Sequence, residues 1–433
     1  MITVVGTGTG APVPEDVLAG AALVVGGRRH LDAVRLPSGA ERIVLGPPAP
    51  ALDAIAEYVG KELPVVVLAS GDPGFFGIVR ALAERFGAGS LDVRPGVSSV
   101  AGAFARIGLP WDDAVVVSAH GRDLRTAVNM CRAHPKVAVL TGPGSGPAEL
   151  GAALAADAED TVTGTGTGHR GGDAHGPGRR TLVVVRALGD PERERVERVT
   201  PAEAAARDWG TAVSVVLCLD EARALGGVRT VAGVPARPAR WALEESAFAH
   251  RDSMITKFEV RALALARLGP GPGDLVWDVG AGSGSVAVEC ARLGAAVVAV
   301  EKAPDGVERI RANADAHGVG VRVVHGTAPD ALSGLADDPD AVFIGGGGRE
   351  LPAVVDACAR RARRTVVVAM AALDRVPAAR EALARAGFTC DGVLLQSSRL
   401  APLPGDVTRL AATNPVFLLW GVRTPVPDEG VAQ

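Results

Sequence analysis

The segment Leu275-Val276-Trp277-Asp278-Val279-Gly280-Ala281-Gly282-Ser283-Gly284 constrains this chain more than any other. An apolar run ends in three glycines spaced two apart, and a helical pattern begins at Ser285. Glycine has no Cβ and reaches backbone angles closed to other residues. A strand, a glycine turn and a helix N-terminus in succession therefore let a ligand approach backbone N–H groups directly. A dinucleotide-binding turn requires G-x-G-x-x-G, whose third glycine lets helix and strand pack closely. Here Ser285 stands where that pattern needs its last glycine. Glu301 ends the next strand, 21 residues after Gly280, where a carboxylate can accept hydrogen bonds from both hydroxyls of a ribose. Gly326-Thr327-Ala328-Pro329 follows a further strand, where the adenine of such a ligand would lie.

The alternation of short apolar runs with amphipathic stretches continues downstream at 296–300, 321–324, 341–344 and 365–368. Repeated β–α order predicts a parallel sheet flanked by helices. The first half alternates too, with strands expected at Val65-Val66-Val67-Leu68-Ala69, Val137-Ala138-Val139-Leu140 and Leu182-Val183-Val184-Val185. At 433 residues the chain exceeds one ordinary core, so two domains are expected. Gly226-Gly227, Pro235 and Pro238 put a linker at 221–240, between domains at 1–220 and 241–433. The Gly/Thr/His-rich stretch 163–178 has no apolar period and reads as a surface loop.

Composition narrows the remaining classes. Apolar residues make up 48% of the chain, enough for two cores. No uncharged apolar run approaches the roughly 18 residues that span a bilayer. The opening Met1-Ile2-Thr3-Val4-Val5-Gly6 reads as a strand entering a glycine turn, which argues against a signal peptide. The five cysteines are odd in number and show no C-x-x-C spacing, so neither a disulfide framework nor a metal site is expected. A formal charge of −4 lacks the basic balance of a nucleic-acid binder. The expectation is a cytoplasmic protein with no nucleic-acid and no membrane partner.

The spacing G-x-G-x-G is the form found in class I methyltransferases. Together with Asp252-Ser253-Met254-Ile255-Thr256-Lys257, Gly326-Thr327-Ala328-Pro329-Asp330-Ala331-Leu332 and Phe343-Ile344-Gly345-Gly346, it resembles the CbiT-type precorrin methyltransferases. That resemblance implies that Thr256, Gly280, Ala281, Gly282, Ser283, Gly284, Glu301 and Ala328 contact S-adenosylmethionine. In the first half, Val4-Val5-Gly6-Thr7-Gly8-Thr9-Gly10 is also strand-then-glycines, but Pro12 and Pro14 follow at once and no helix opens on the turn. With Ser70-Gly71-Asp72-Pro73-Gly74, Pro95-Gly96-Val97-Ser98-Ser99 and Ser118-Ala119-His120-Gly121-Arg122, it resembles the CbiE-type members of the tetrapyrrole methylase family. There Gly8, Gly71, Asp72, Ser98 and Ser99 would line a second cofactor cleft. Thr9 departs from the proline common at that position.

The implied architecture is α/β throughout: an N-terminal two-lobed tetrapyrrole methylase (class III) fold and a C-terminal Rossmann-like class I methyltransferase fold. The implied chemistry is methylation of a precorrin tetrapyrrole at C-5 by the first half. The second half would methylate C-15 and decarboxylate the ring C acetate, in corrinoid (cobalamin) biosynthesis. Two S-adenosylmethionine sites and no metal follow, with a homo-oligomer as the expected assembly. A macrocycle rich in acetate and propionate groups needs cations, and arginine forks match carboxylates in two-point geometry. Arg28, with Arg29 and His30 beside it, then His120, Arg122 and Arg251 are the candidates, each competing with plain surface charge. His250 is the candidate proton donor. Two other readings share these motifs: a methyltransferase of RNA or protein, and a nicotinamide-dependent oxidoreductase or nucleotide sensor.

Overall fold

A computed structural model describes residues 1–9, 12–159, 180–210, 214–225, 241–251, 255–346 and 348–423. Most of the expected linker, the whole of the expected loop at 163–178, Gly10 and Asp252-Ser253-Met254 lie outside the described residues. The chain forms two compact units. One comprises Met1–Arg122, Lys136–Glu149 and Thr181–Leu219; the other comprises Asp123–Pro135, Leu150–Arg180 and Asp220–Gln433. No helix among the described residues is long and apolar enough to cross a membrane.

The first unit is built on two sheets. Strands β1 (Ile2–Thr7), β2 (Leu23–Gly26), β3 (Glu41–Val44), β4 (Val65–Ser70) and β5 (Leu91–Arg94) form a parallel sheet in the order β3-β2-β4-β1-β5. Side chains alternate across a strand, so consecutive valines serve opposite faces. Val4, Val25 and Val67 pack into one core layer, and Val5, Val24 and Val66 into the other. The second sheet holds β6 (Val115–Ser118), β7 (Lys136–Leu140), β8 (Arg180–Arg186), β9 (Arg195–Val199) and β10 (Ser214–Asp220), in the order β6-β7-β10-β8-β9. It is mixed, with β7 parallel to β6 and antiparallel to β10.

The second unit carries β11 (Leu275–Val279), β12 (Ala296–Glu301), β13 (Arg322–His325), β14 (Ala341–Ile344), β15 (Thr365–Met370), β16 (Phe388–Leu395) and β19 (Val416–Arg423). They form one seven-stranded sheet in the order β13-β12-β11-β14-β15-β19-β16. The first five strands are parallel, as the β–α order predicted. The last two correct that expectation, because β19 runs antiparallel to both β15 and β16. A hairpin of β17 (Ser398–Leu403) and β18 (Val407–Ala412) intervenes and returns the chain without a crossover helix. Trp277 and Val298 face one core layer, Val276 and Val297 the other.

Two ion clusters fix the segment that leads into this unit. Arg261, fully buried in the helix Phe258–Leu268, donates to the carbonyls of Leu243 and Thr256 and lies 3.6 Å from buried Glu289. Glu289 in turn accepts from the Leu243 N–H. Arg399, on β17, forks onto Glu245 at 2.9 and 2.8 Å and reaches Glu259 at 2.8 Å. That guanidinium, before any other cause, holds the Glu245 carboxyl down at about 2.

Glu289 keeps Arg292 at 3.1 Å and the Leu243 N–H, so removing Arg261 strands chiefly the carbonyls of Leu243 and Thr256. Arg261→Met is therefore expected to lower the stability of the C-terminal unit by about 1–3 kcal/mol, read from chemical denaturation. The contribution of Glu245 is whole above pH 4.5, its ordinary value, and is lost as pH falls toward 2. Arg399→Ala should remove that acid-labile part, seen as a flatter unfolding midpoint between those pH values.

Candidate active sites

In the second unit the carboxyl ends of β11, β12, β13 and β14 converge on one cavity of about 680 Å³. The glycine turn forms its floor. Gly280 N–H and Ala281 N–H both donate to the Val300 carbonyl, at 2.9 and 3.2 Å, which ties the turn to the neighbouring strand. Gly282 sits at φ +59°, and a Cβ there would meet nothing within 4 Å, so its backbone faces open cavity. Gly284 does a different job: an added Cβ would lie 3.0 Å from Ile310, so this glycine admits the helix Pro304–Ala316.

Glu301 is buried at the end of β12 and braces the same turn. One carboxylate oxygen accepts from Gly282 N–H at 2.8 Å, the other from Ala303 N–H at 2.9 Å. Each oxygen keeps a second lone pair, so the carboxylate can still accept from a ligand hydroxyl. Asp278, at the strand end below the turn, is fully buried. Its Oδ2 accepts from Ala287 N–H at 2.9 Å while Oδ1 has no partner. Burial pushes this carboxyl up to about 7, against the pull of the Ala287 hydrogen bond. Backbone open at Gly282 and the Glu301 carboxylate together suit a nucleoside carrying an amino-acid tail.

Thr256, Gly280, Ala281, Gly282, Ser283, Glu301, Ala328 and Arg251 all line this cavity. Gly284 does not, for the packing reason given. His250 is exposed and does not line it either. Arg251 is 3.8 Å from Asp305, which also takes Arg309 at 2.9 Å. Sequence reasoning missed two contributors to this lining: Lys257, which ends the 252–257 motif without having been given a role, and Arg375 from beyond β15, which no local spacing marks.

In the first unit the ends of β1, β4 and β5 interlock through backbone. Gly71 N–H donates to Thr7 O at 2.8 Å, and Gly96 N–H to Gly71 O at 3.1 Å. A Cβ on Gly6 would lie 1.9 Å from Gly71 O, so only glycine permits this approach. His30 is buried beneath Gly8. Its Nε2 is 3.2 Å from Arg29 Nε and 2.9 Å from Ser70 Oγ, which also accepts from Arg29 Nη2 at 2.5 Å. Arg29 can only donate, so Nε2 accepts and the ring proton sits on Nδ1. Burial first, and Arg29 second, hold the imidazole down at about 4. The expectation that His30 shares in cationic binding is thereby corrected: at neutral pH it is uncharged.

The other N-terminal candidates spread over neighbouring loop ends. Asp72 accepts from Gly74 N–H at 2.9 Å, closing a local turn, and Ser98 caps the helix Ser99–Ile107 by accepting from Ala101 N–H at 3.1 Å. Arg28 is exposed at the end of β2, and His120 and Arg122 are exposed beyond β6.

Known proteins share this pair of architectures. Residues 1–205 match the model of the tetrapyrrole (corrin/porphyrin) methylases, and residues 246–422 that of the precorrin methyltransferase domain. A precorrin-6Y C(5,15)-methyltransferase (decarboxylating) from a Sinorhizobium species is 37% identical over 341 residues, spanning 78% of this chain and 75% of that protein. A probable cobalt-precorrin-6B C(15)-methyltransferase (decarboxylating) of Pyrobaculum calidifontis is 37% identical over 38% of this chain and 87% of its own. A cobalt-precorrin-7 C(5)-methyltransferase of Salmonella typhimurium is 31% identical over 51% of this chain and 100% of its own. The chain is a methyltransferase and belongs to the precorrin-6Y C(5,15)-methyltransferase (decarboxylating) family.

Proposed function

We propose that this chain methylates a precorrin macrocycle at two meso carbons from two separate donor pockets. C-15 methylation with loss of the ring C acetate carboxyl falls to the second half, and C-5 methylation to the first, giving precorrin-8. The observation that carries this reading is the presence of two unrelated glycine-built cradles in one chain, each within a match to a different methyltransferase model. The domains would be 1–220 and 241–433, joined at 221–240. The relatives' names support an order: the C(15) enzyme takes a precorrin-6B and the C(5) enzyme a precorrin-7. C-15 then comes first.

The family is S-adenosylmethionine-dependent, and this donor supplies an electrophilic methyl group on sulfonium sulfur. In the second half Glu301 would hold the ribose, Ala328 the adenine side, and Thr256 with the 280–284 turn the amino-acid tail. In the first half Gly8, Gly71, Asp72, Ser98 and Ser99 would line the donor cleft. Arg28, His120, Arg122 and Arg251 would meet macrocycle carboxylates. With an activated methyl and an electron-rich carbon, the protein's task is alignment and exclusion of water, worth up to roughly 7–11 kcal/mol. A nucleophile–base pair is not required. The electron pair released with carbon dioxide enters the conjugated ring.

Cytoplasmic location and absence of nucleic-acid partners belong to the same reading, which the acidic balance supports. Self-association is supported by the hairpin of β17 and β18, where Leu400 and Leu410 are exposed.

Incubation with precorrin-6B and labelled S-adenosylmethionine should yield a product with two methyls gained and one carboxyl lost, counted by mass spectrometry. Gly282→Arg directs a side chain into the cavity from a backbone angle costing about 1–2 kcal/mol; it should abolish the C-15 methyl and the decarboxylation while C-5 methylation of precorrin-7 persists. Gly8→Val, whose Cβ would lie 2.6 Å from the His30 ring, should do the reverse. Loss of both activities in either folded variant would refute independent sites.

A further inference from the structure

The cavity of the second unit is lined from both sides of β11. The glycine turn after β11, Glu301 at the end of β12 and Gly326-Thr327-Ala328 beyond β13 make one wall. Strand order places the ends of β14 and β15 on the other side of β11. The helix Phe258–Leu268 packs over β14, β15 and β19, and Lys257, immediately before it, lines the same cavity. This second wall is apolar at its base, with Leu351, Val354, Met370 and Val416.

Charge on the cavity is unevenly spent. Arg251 and Arg309 are both turned to Asp305, and Glu301 is occupied by backbone N–H groups. Three cations on the wall have no side-chain partner among the described residues: Lys257, Lys302 and Arg375. Lys302 follows Glu301 directly and belongs to the ribose side. Lys257 precedes the helix Phe258–Leu268, and Arg375 ends the short 3-10 turn Leu373–Arg375 after β15; both are half-buried. The chain has only four lysines, and two of them line this one cavity. A half-buried cation without a side-chain partner among the described residues is partly desolvated at a cost, and an anionic ligand offsets that cost.

We propose that Lys257 and Arg375 form a carboxylate clamp on the acceptor side of this cavity. They hold two peripheral carboxylates of the macrocycle while its flat face rests on the apolar base, turning the C-15 edge toward the donor wall. The proposal rests on the C-15 assignment to this half. Arg375 offers a planar two-point fork and Lys257 a single mobile charge, so Arg375 sets the orientation of the ring in its plane and Lys257 adds affinity.

The test uses the full chain with four readouts on Lys257→Ala, Arg375→Ala and Arg375→Lys: KM and kcat for the C-15 step, affinity for S-adenosylhomocysteine by calorimetry, and the C-5 step on precorrin-7. Charged hydrogen bonds of this kind predict a KM rise of roughly tenfold to hundredfold for each alanine variant. S-adenosylhomocysteine affinity should stay within about twofold of the parent and C-5 methylation should not change, while Arg375→Lys recovers part of the lost affinity but not the full kcat. An unchanged KM in both alanine variants overturns the clamp. So does a loss of S-adenosylhomocysteine affinity parallel to the KM rise, which would move these cations to the donor wall. Failure of the parent protein to bind S-adenosylhomocysteine or to methylate precorrin-6B would instead sink the functional reading, and the clamp with it.

Discussion

Everything in the second half is organised by the bond between one turn and one strand end. Gly280 and Ala281 N–H groups converge on the Val300 carbonyl, and Gly282 N–H reaches Glu301 a residue later. A turn held in that way cannot relax toward the cavity. Its three glycines all have positive φ, and the peptide groups between them are presented as a rigid surface. Because β11 is where the sheet reverses its order, the loops beside it diverge and a crevice opens at that point. The binding groups are therefore positioned by the sheet's hydrogen-bond ladder instead of by loop packing.

How much of this was legible in the chain depends on how local each feature is. The glycine turn, Glu301 and Gly326 were readable because a strand, a tight turn and a helix start occupy adjacent positions, and each step has its own residue requirement. The parallel strands β11 to β15 were readable from β–α alternation. The antiparallel β19 was not, since an apolar run such as Val416-Phe417-Leu418-Leu419-Trp420 carries no mark of direction. Gly284 was read as a ligand contact because it shares the motif with Gly282, yet its vacancy is filled by Ile310. Arg261 with Glu289 and the Arg399 fork onto Glu245 were invisible, since partners up to 154 residues apart leave no spacing to read.

The two halves solve the same problem with different materials. In the second, a single strand end carries all three glycines, and a helix closes on the last. In the first, one glycine from each of three strand ends, Gly6, Gly71 and Gly96, is pressed against the others until no Cβ could enter. Pro14 is the N-cap of the short helix Glu15–Ala19, so here the helix starts several residues after the glycines and not on them. Both devices expose backbone polar groups while keeping side chains out of the way.

The buried ionisable groups of the two halves are also treated in parallel. Asp278 is pushed up to about 7 and His30 down to about 4, each chiefly by burial. Both shifts run toward the uncharged form, because each group sits where water cannot solvate a charge. The sign of the His30 shift follows from linkage. Its unfolded imidazole binds a proton below about 6.5 and its folded one only below about 4, so acid between those values draws the first unit toward unfolding. Ser70 and Arg29 cannot prevent this, because the guanidinium that orients Nε2 also repels the proton that would land there. The neutral histidine is thus first a consequence of burial beneath Gly8, to which the guanidinium that holds Ser70 adds, while Ser70 itself is exposed at the end of β4.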